Sequence, residues 1–182
     1  MENDNASESG PSARVAGSGA TGTARGGAVP AVRIGLISDT HGLLRPEALQ
    51  ALAGVEHIIH AGDIGTPEVI EALRDIAPVD AVRGNNDKAP WASKFPLSLA
   101  LKFEAVGIHV LHDVKELDVN PVVAGFRVVI AGHSHKPQVT ERDGVLFVNP
   151  GAAGPRRFSL PVTIGYLTVA AGRASAQIKA LL

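Results

Sequence analysis

Residues 32–42 of the chain are VRIGLISDTHG, a short apolar run that ends in small and polar side chains. A run of this length, rich in branched apolar residues, is typical of a strand that is buried on both faces. Residues 57–63, HIIHAGD, and residues 79–87, VDAVRGNND, repeat the order of a short apolar run followed by glycine and polar residues. The first half of the chain therefore predicts three buried strands that each end in a polar loop.

Two helical patterns separate these three strands. Residues 46–52 begin with proline, which is favoured in the first turn of a helix, and predict a short helix. A second helix is predicted from Thr66, a plausible N-cap, to Ile76, with Val69, Ile70 and Leu73 on its apolar face. Strands alternating with helices indicate a parallel α/β sheet.

The second half of the chain carries strand patterns with little helix between them. These patterns lie at residues 97–103, 106–112, 127–131, 144–148, 161–169 and 174–180. We expect them to form a mixed or antiparallel sheet that packs against the first one. The predicted fold class is α/β, a two-sheet mixed β-sandwich flanked by helices.

Composition restricts the class of protein. The chain has 182 residues, of which 45% are hydrophobic and 19% charged, and these values suit one globular domain over residues 31–182. The formal net charge of -1 provides no basic surface for nucleic acid, so a stable nucleic-acid partner is not expected. Because there is no cysteine, disulfides and thiolate metal sites are excluded.

Residues 1–30 are rich in Gly, Ser, Ala and Thr and have almost no large apolar side chains. Such a segment cannot bury enough apolar surface to offset the entropy of ordering, so we predict a disordered low-complexity tail. We find neither a secretory signal pattern nor an apolar run long enough to span a bilayer. The expected location is therefore the cytoplasm, without a membrane partner.

Polar side chains follow five of the predicted strands, at the point where each strand ends. They are Asp39 and His41, then Asp63, then Asn85, Asn86 and Asp87, then His112, and finally His133 and His135. A single Asp after a strand is more often a turn former than a ligand. In Asp-x-His and His-x-His, however, residues i and i+2 of an extended segment face the same way and can share a metal. Open α/β sheets bind ligands at the carboxyl ends of their strands, so these five loops predict one polar site.

The order of these motifs resembles that of the calcineurin-like metallophosphoesterases, and most of all their small prokaryotic phosphodiesterase branch. The signature of that family runs Asp-x-His, Gly-Asp, Gly-Asn, a single His, and Gly-His-x-His. The resemblance extends over residues 32–182 and implies the four-layer fold of that family. The matching segments are SDTHG at 38–42, AGD at 61–63, RGNND at 83–87, GHSHKP at 132–137 and VNPG at 148–151.

The resemblance implies a site for two divalent cations. One cation would be held by Asp39, His41, Asp63 and His135, and the other by Asp63, Asn85, His112 and His133, so that Asp63 bridges the pair. Two cations about 3.5 to 4 Å apart can share a hydroxide that attacks phosphorus in line. Ligands of N and O without sulfur favour manganese, nickel, zinc, iron or magnesium over Cu(I) or iron-sulfur chemistry, and of these five we expect manganese. The implied catalytic residues are Asp63, Asn85 and Asp87, and the implied partner is a small phosphoester substrate.

The chain departs from the family at two positions. Many relatives have a histidine where this chain has Asn86, and asparagine cannot donate a proton to the leaving group near neutral pH. The branch usually shows His-Gly-His where this chain has His112, Asp113 and Val114. Asp87 is either an orienter of neighbouring ligands or a turn-stabilising residue, and the sequence leaves both open.

Several side chains near the motifs have more than one interpretation. His57 and His109 are expected to be ordinary surface or core residues, whereas His60 could hydrogen-bond to a residue of the site. The arginines at 83, 156 and 157 could bind phosphate, although an arginine near a turn is usually solvated.

Two functions from different classes remain. The chain is predicted to be a metal-dependent phosphodiesterase. The alternative is a non-catalytic metal-binding scaffold of the same fold, like the retromer subunit that resembles it. Every position implied as a ligand still holds a residue that can coordinate metal, which favours the enzyme. The sequence decides neither the physiological substrate nor whether the chain forms a homo-oligomer.

Overall fold

The computed structural model describes residues 31–182, and the tail predicted over residues 1–30 lies outside the described residues. The strands are β1 Val32–Ile37, β2 His57–His60, β3 Val79–Ala81, β4 Ser98–Phe103, β5 Val106–Leu111, β6 Phe126–Ile130, β7 Gln138–Arg142, β8 Val145–Asn149, β9 Thr163–Ala170 and β10 Arg173–Ala180. The α-helices are α1 Pro46–Leu52 and α2 Pro67–Arg74, and two 3-10 helices cover Pro90–Lys94 and Val114–Glu116. The longest of these helices, α2, has eight residues, far too few to cross a membrane.

The strands form two five-stranded sheets, so the predicted two-sheet α/β sandwich is confirmed. In the first sheet the order is β10-β9-β1-β2-β3, and in the second it is β4-β5-β6-β8-β7. β1, β2 and β3 run parallel, as do β5, β6 and β8. The carboxyl ends of the strands that precede the polar loops therefore lie at one edge of each sheet.

The placement of the last two strands was predicted wrongly. We expected β9 and β10 to join the other late strands, but β9 pairs antiparallel with β1 over Val32↔Val169 to Leu36↔Gly165, and β10 pairs with β9. Most of β9 is buried, which shows an interior strand. Apolar periodicity identifies such a strand but does not say which sheet it enters.

Two further local predictions need correction. β7 was missed because its sequence, QVTER, has a single apolar residue and lies at a sheet edge, where pairing with β8 alone suffices. α2 ends at Arg74 rather than at Ile76. Thr66 occupies the N-cap position of α2, but its side chain makes no capping hydrogen bond.

Apolar side chains from both sheets fill the space between them, including Ile34, Leu36 and Ile59 from the first sheet and Val128 and Ile130 from the second. α1 and α2 cover the outer face of the first sheet, where they bury a second apolar cluster. In residues 31–182 no α-helix lies over the outer face of the second sheet, so the flanking helices occur on one side only.

Candidate metal centre

The predicted ligands of the first cation lie together at the carboxyl ends of β1, β2 and β6. Nε2 of His135 is 3.3 Å from Oδ1 of Asp39, and Nε2 of His41 is 3.8 Å from Oδ2 of Asp63. The rings of His41 and His135 stack with centroids 5.4 Å apart. Asp39, His41 and His135 each offer one ligand atom within 4.8 Å of the other two.

The ligands predicted for the second cation adjoin this group. Nε2 of His112 is 3.4 Å from Oδ2 of Asp63, and Nδ1 of His133 is 3.1 Å from Oδ1 of Asn85. The rings of His112 and His133 meet edge to face with centroids 5.2 Å apart. Asp63 contacts both groups, which is the position expected for a bridging carboxylate.

Five of the seven predicted ligands have left-handed backbone. Asp39, His41, Asp63, His133 and His135 have φ between 45° and 65°, and they are five of the nine non-glycine residues with positive φ in residues 31–182. The extended conformation assumed for Asp-x-His and His-x-His is therefore wrong, because each ligand turns the chain just beyond its strand. Each such residue costs on the order of 1 kcal/mol, and such strained residues cluster at functional sites.

Hydrogen bonds fix the orientation of Asp39. Oδ2 of Asp39 accepts from Oγ of Ser38 at 2.7 Å and from the backbone N of His133 at 3.2 Å. Oδ1 has no hydrogen-bond partner in residues 31–182, although it is buried. Burial raises the pKa of Asp39 to about 6 despite the hydrogen bond from Ser38.

His112, whose loop departs from the family pattern, is nevertheless oriented like a metal ligand. Its Nδ1 donates to the carbonyl of Ala61 at 2.7 Å, so Nε2 faces Asp63. A ring N–H held by a backbone carbonyl is the usual way in which proteins aim the other nitrogen at a metal. His112 Nε2 is buried and, among the described residues, has no hydrogen-bond partner.

Asn86 holds the central carboxylate, a role that the sequence analysis did not predict. Its side-chain amide donates to Oδ2 of Asp63 at 2.6 Å, and its backbone N donates to Oδ1 at 2.9 Å. Burial alone would raise the pKa of Asp63, but the contacts from His112 and Asn86 outweigh burial and hold that pKa below its ordinary value. Asp63 is therefore ionised and fixed in place.

Asp87 joins two loops of the centre. Its carboxylate accepts from the backbone N–H groups of Ile64 at 3.0 Å, Gly65 at 2.9 Å and Gly84 at 2.8 Å. These contacts favour the orienting interpretation over a purely local turn, because two of the three donors belong to the loop after β2. A direct catalytic role for Asp87 stays a prediction.

His60 lies beneath the same loops. The backbone N of Gly62 donates to Nδ1 at 3.2 Å, so the neutral ring carries its proton on Nε2, which donates to Oγ1 of Thr40 at 2.9 Å. Thr40 in turn donates to the carbonyl of Ile64 at 2.9 Å. Burial lowers the pKa of His60 to about 3, which agrees with a neutral ring that links two loops of the centre.

The other two histidines lie apart from the centre, as expected, although Nδ1 of His109 is buried without a hydrogen-bond partner in residues 31–182. His57 pairs with Asp80 at 2.9 Å, away from the centre. His109 is buried beside the ring of Phe126.

Two charged residues at the rim were not among the predicted site residues. Nη2 of Arg157 lies 3.4 Å from Nε2 of His41, whereas the side chain of Arg156 hydrogen-bonds to the carbonyl of Leu160. Oδ2 of Asp113 lies 3.5 Å from Nε2 of His133. Asp113 departs from the family pattern in the sequence, and that departure could have indicated that it lies at the site.

The residues present fit divalent cations. Two buried potential ligand atoms, Oδ1 of Asp39 and Nε2 of His112, lack hydrogen-bond partners in the described part of the chain and face the cluster. Burial and the nearby Arg157 lower the pKa of His135 to about 4, so its ring is neutral and can coordinate. A bound cation would compensate the buried negative charge of Asp39 and Asp63.

Comparison with known proteins identifies the family. The sequence pattern of the calcineurin-like phosphoesterase superfamily domain matches residues 32–172. The chain belongs to this superfamily. The predicted resemblance is thereby confirmed, and membership places the chain among phosphoesterases, which generally use divalent metals.

Individual relatives agree with this assignment. A probable metallophosphoesterase of Methanothermobacter thermautotrophicus is 34% identical over 140 residues, which cover 70% of this chain and 81% of the relative. The structure of an archaeal phosphodiesterase superposes with a TM-score of 0.67 at 26% identity, over 81% of this chain and 99% of that one. Vacuolar protein sorting 29 from Cryptosporidium parvum also gives 0.67, at 20% identity over 82% of this chain and 97% of that one, and shows the fold alone.

Proposed function

We propose that this calcineurin-like phosphoesterase is a dinuclear metal phosphodiesterase. The observation that carries the proposal is the position of Asp63, whose ionised carboxylate lies between two groups of coordinating side chains. Two bound cations would supply a hydroxide for in-line attack on phosphorus and neutralise charge on the phosphoryl oxygens. Similarity to the archaeal phosphodiesterase supports diesters as the substrate class.

The residues divide into two ligand sets, as the family resemblance implies. Asp39, His41, Asp63 and His135 would hold one cation, and Asp63, Asn85, His112 and His133 the other. We keep manganese as the proposed metal, with nickel, zinc, iron and magnesium as alternatives, since mixed N and O donors suit all five.

Arg157 is the side chain best placed to bind the substrate phosphate. Its guanidinium group is exposed beside His41 at the open side of the centre. Guanidinium groups bind phosphate oxygens through paired hydrogen bonds. Arg157 would therefore hold the substrate from the side of the first ligand set.

Asn86 would contribute to positioning rather than to proton transfer. Its amide donates to Asp63, and an amide has no proton to give to a leaving group near neutral pH. We therefore expect a preference for esters with good leaving groups. Nothing in this scheme requires a phosphorylated residue.

The buried ligand atoms without partners support metal binding, since each costs free energy unless a metal or hydrogen bond satisfies it. A metal-binding scaffold would satisfy them equally well, so the assay for turnover decides between the two functions. A small phosphoester remains the proposed partner, in line with the net charge of -1, and the cytoplasm the proposed location.

Metal removal and readdition test the proposal. Protein stripped by chelation would be assayed with bis-p-nitrophenyl phosphate and p-nitrophenyl phosphate, with and without Mn²⁺, Ni²⁺, Zn²⁺ or Mg²⁺, while mass spectrometry counts the bound ions. Asp63→Asn should abolish metal-restored turnover. Asp143→Asn, the same substitution in the turn between β7 and β8, should not.

The outcomes separate the two functions. Hydrolysis that depends on about two bound ions and on Asp63 supports the diesterase. Folded protein that binds metal but hydrolyses neither ester supports the scaffold. Turnover that survives exhaustive chelation, or a trapped phosphoenzyme, contradicts the mechanism.

A further inference from the structure

A groove runs down the outer face of the second sheet from the metal centre. It has a volume of about 310 Å³. At its upper end it is lined by Asp113 and by Gly132, His133 and Ser134, which follow β6. Because His133 is a proposed ligand, the groove begins at the metal centre itself.

The floor of this outer groove is apolar. Val129 and Ala131 of β6 and Phe147 of β8 face outward there, and Val114 forms part of a wall. The segment after β5 covers only part of this sheet face, through Leu117. The groove thus has the size and apolar lining of a small-molecule site, and it is preformed.

Unpaired positive charge accompanies the apolar floor. Lys115 and Arg142 both line the groove, and within residues 31–182 neither forms an ion pair with a carboxylate. The guanidinium group of Arg142 lies over the ring of Phe147, 4.6 Å from its centroid, which restrains it. The one carboxylate in the groove lining, that of Asp113, lies beside His133 at the upper end.

Strand β7 sets the length of the groove. Gln138, Thr140 and Arg142 alternate along β7 and face the groove together. Four residues of strand rise about 13 Å, so Arg142 lies roughly that far below Gln138. Gln138 pairs with Asn149 at the end nearer the centre.

From these features we propose that the outer groove binds the ester arm that stays on phosphorus, and that this arm carries a ring and a negative charge, as a nucleotide does. The proposal rests on the proposed phosphodiesterase function. Apolar walls and Phe147 would contact the ring, while Lys115 and Arg142 would attract the charge. The volume suits one such arm and is too small for a protein helix, whose diameter is about 10 Å.

Two diesters with one leaving group test the proposal on metal-loaded protein. The 5′-(p-nitrophenyl phosphate) diester of thymidine 3′-monophosphate has an arm with a ring and a negative charge of its own, whereas the arm of methyl p-nitrophenyl phosphate has neither. Thr140→Trp would fill the groove, because Thr140 lies directly opposite Phe147 in the sheet register. Glu141→Trp, one residue further on, places the same side chain on the other face of β7 and is the matched control.

We expect Thr140→Trp to raise KM for the thymidine ester about 10-fold, because the contact of one stacked ring is lost. The KM for the methyl ester should stay unchanged. Arg142→Gln should raise KM for the thymidine ester about threefold, as for an exposed charge contact. Glu141→Trp should alter neither ester. Equal effects of Thr140→Trp on both esters, or no effect on either, would overturn the proposal.

Calorimetry with thymidine 3′,5′-bisphosphate keeps the two proposals distinct. If the wild type hydrolyses neither diester, the proposed function fails, and binding of the bisphosphate then decides whether the groove takes such an arm. Binding that Thr140→Trp weakens about 10-fold and Glu141→Trp does not would support the groove. Absent binding, or equal binding by all three proteins, would overturn it.

Discussion

Adding one methyl group at Gly84 tests how tightly the centre is built. A Cβ at this position would lie 2.1 Å from Oδ1 and 2.3 Å from the backbone N of Asp63. Ordinary contacts begin at 3.4 Å, so the loop that carries Asp63 would have to move by about 1.3 Å. Gly84 does not have left-handed φ, and Gly84→Ala therefore acts through this collision alone.

The size of the effect follows from that displacement. A misplacement of about 1 Å at a catalytic centre costs on the order of 10²-fold in rate. We therefore expect Gly84→Ala to lower kcat/KM for bis-p-nitrophenyl phosphate about 100-fold, or about 2.7 kcal/mol of transition-state stabilisation. Because Asp63 is the proposed bridge, the affinity for both cations should fall as well.

The assay combines steady-state kinetics with calorimetric metal titration. The control is Gly107→Ala at the opposite end of β5, where a Cβ would lie 2.9 Å from the carbonyl of Gly125. This control also introduces a backbone collision, so it should lower stability while metal affinity stays normal. Wild-type kinetics and metal affinity in Gly84→Ala would refute the assignment of Asp63 as a rigid bridge.

Three further substitutions probe the supports of the centre. Asp113→Asn should lower the affinity for one of the two cations about 10- to 100-fold in calorimetric titration, because the Asp113 carboxylate orients His133. An equal loss of affinity for both cations would contradict this. Asp87→Ala should lower the free energy of unfolding in urea by about 3 kcal/mol, since two buried N–H groups and the N–H of the exposed Gly65 lose their acceptor, and a loss below about 1 kcal/mol would disagree. The pKa of His60 is about 3 in the folded protein and 6.5 in the unfolded chain, so the unfolded chain takes up a proton first as the pH is lowered. The free energy of unfolding should therefore decrease as the pH is lowered from 6.5 to about 3, by at most about 1.4 kcal/mol per pH unit. His60→Gln should flatten that slope in urea titrations of metal-free protein, and an unchanged slope would exclude His60 as its source.

The sequence predicted the position of the centre because that position depends on local features. Each of β1, β2 and β3 is an apolar run followed by polar residues, and parallel pairing brings their ends to one edge. That rule holds within one sheet and brings Asp39 and Asp63 together, whereas His135 follows β6 of the second sheet, and only the family resemblance implied its place beside Asp39.

Pairing between distant strands was not accessible in the same way. β9 has the apolar character of any interior strand, and its partner β1 is chosen by packing across the whole domain. β7 has little apolar character of its own, and the hydrogen bonds to β8 define it. Both failures arise where tertiary contacts, rather than residue type, decide the structure.

The supporting contacts were also beyond the sequence. From the sequence, Asn86 was considered only as a residue that cannot donate a proton to the leaving group, whereas in the structure its amide donates a hydrogen bond to Asp63. His60 was left open because its role depends on Thr40 lying 2.9 Å from its ring, which no spacing rule provides. Side chains that act through another residue need coordinates to be identified.

The left-handed ligands give a reason to regard the whole cluster as functional. Glycine adopts positive φ without steric cost, yet nine non-glycine residues among those described adopt it. Four of them are scattered over the chain, whereas the other five are Asp or His residues whose side chains converge on one centre. The accumulated strain is about 5 kcal/mol, comparable with the net stability of a small domain. Cation binding to these ligands would offset that strain, and the residues therefore make physical sense together as a metal centre.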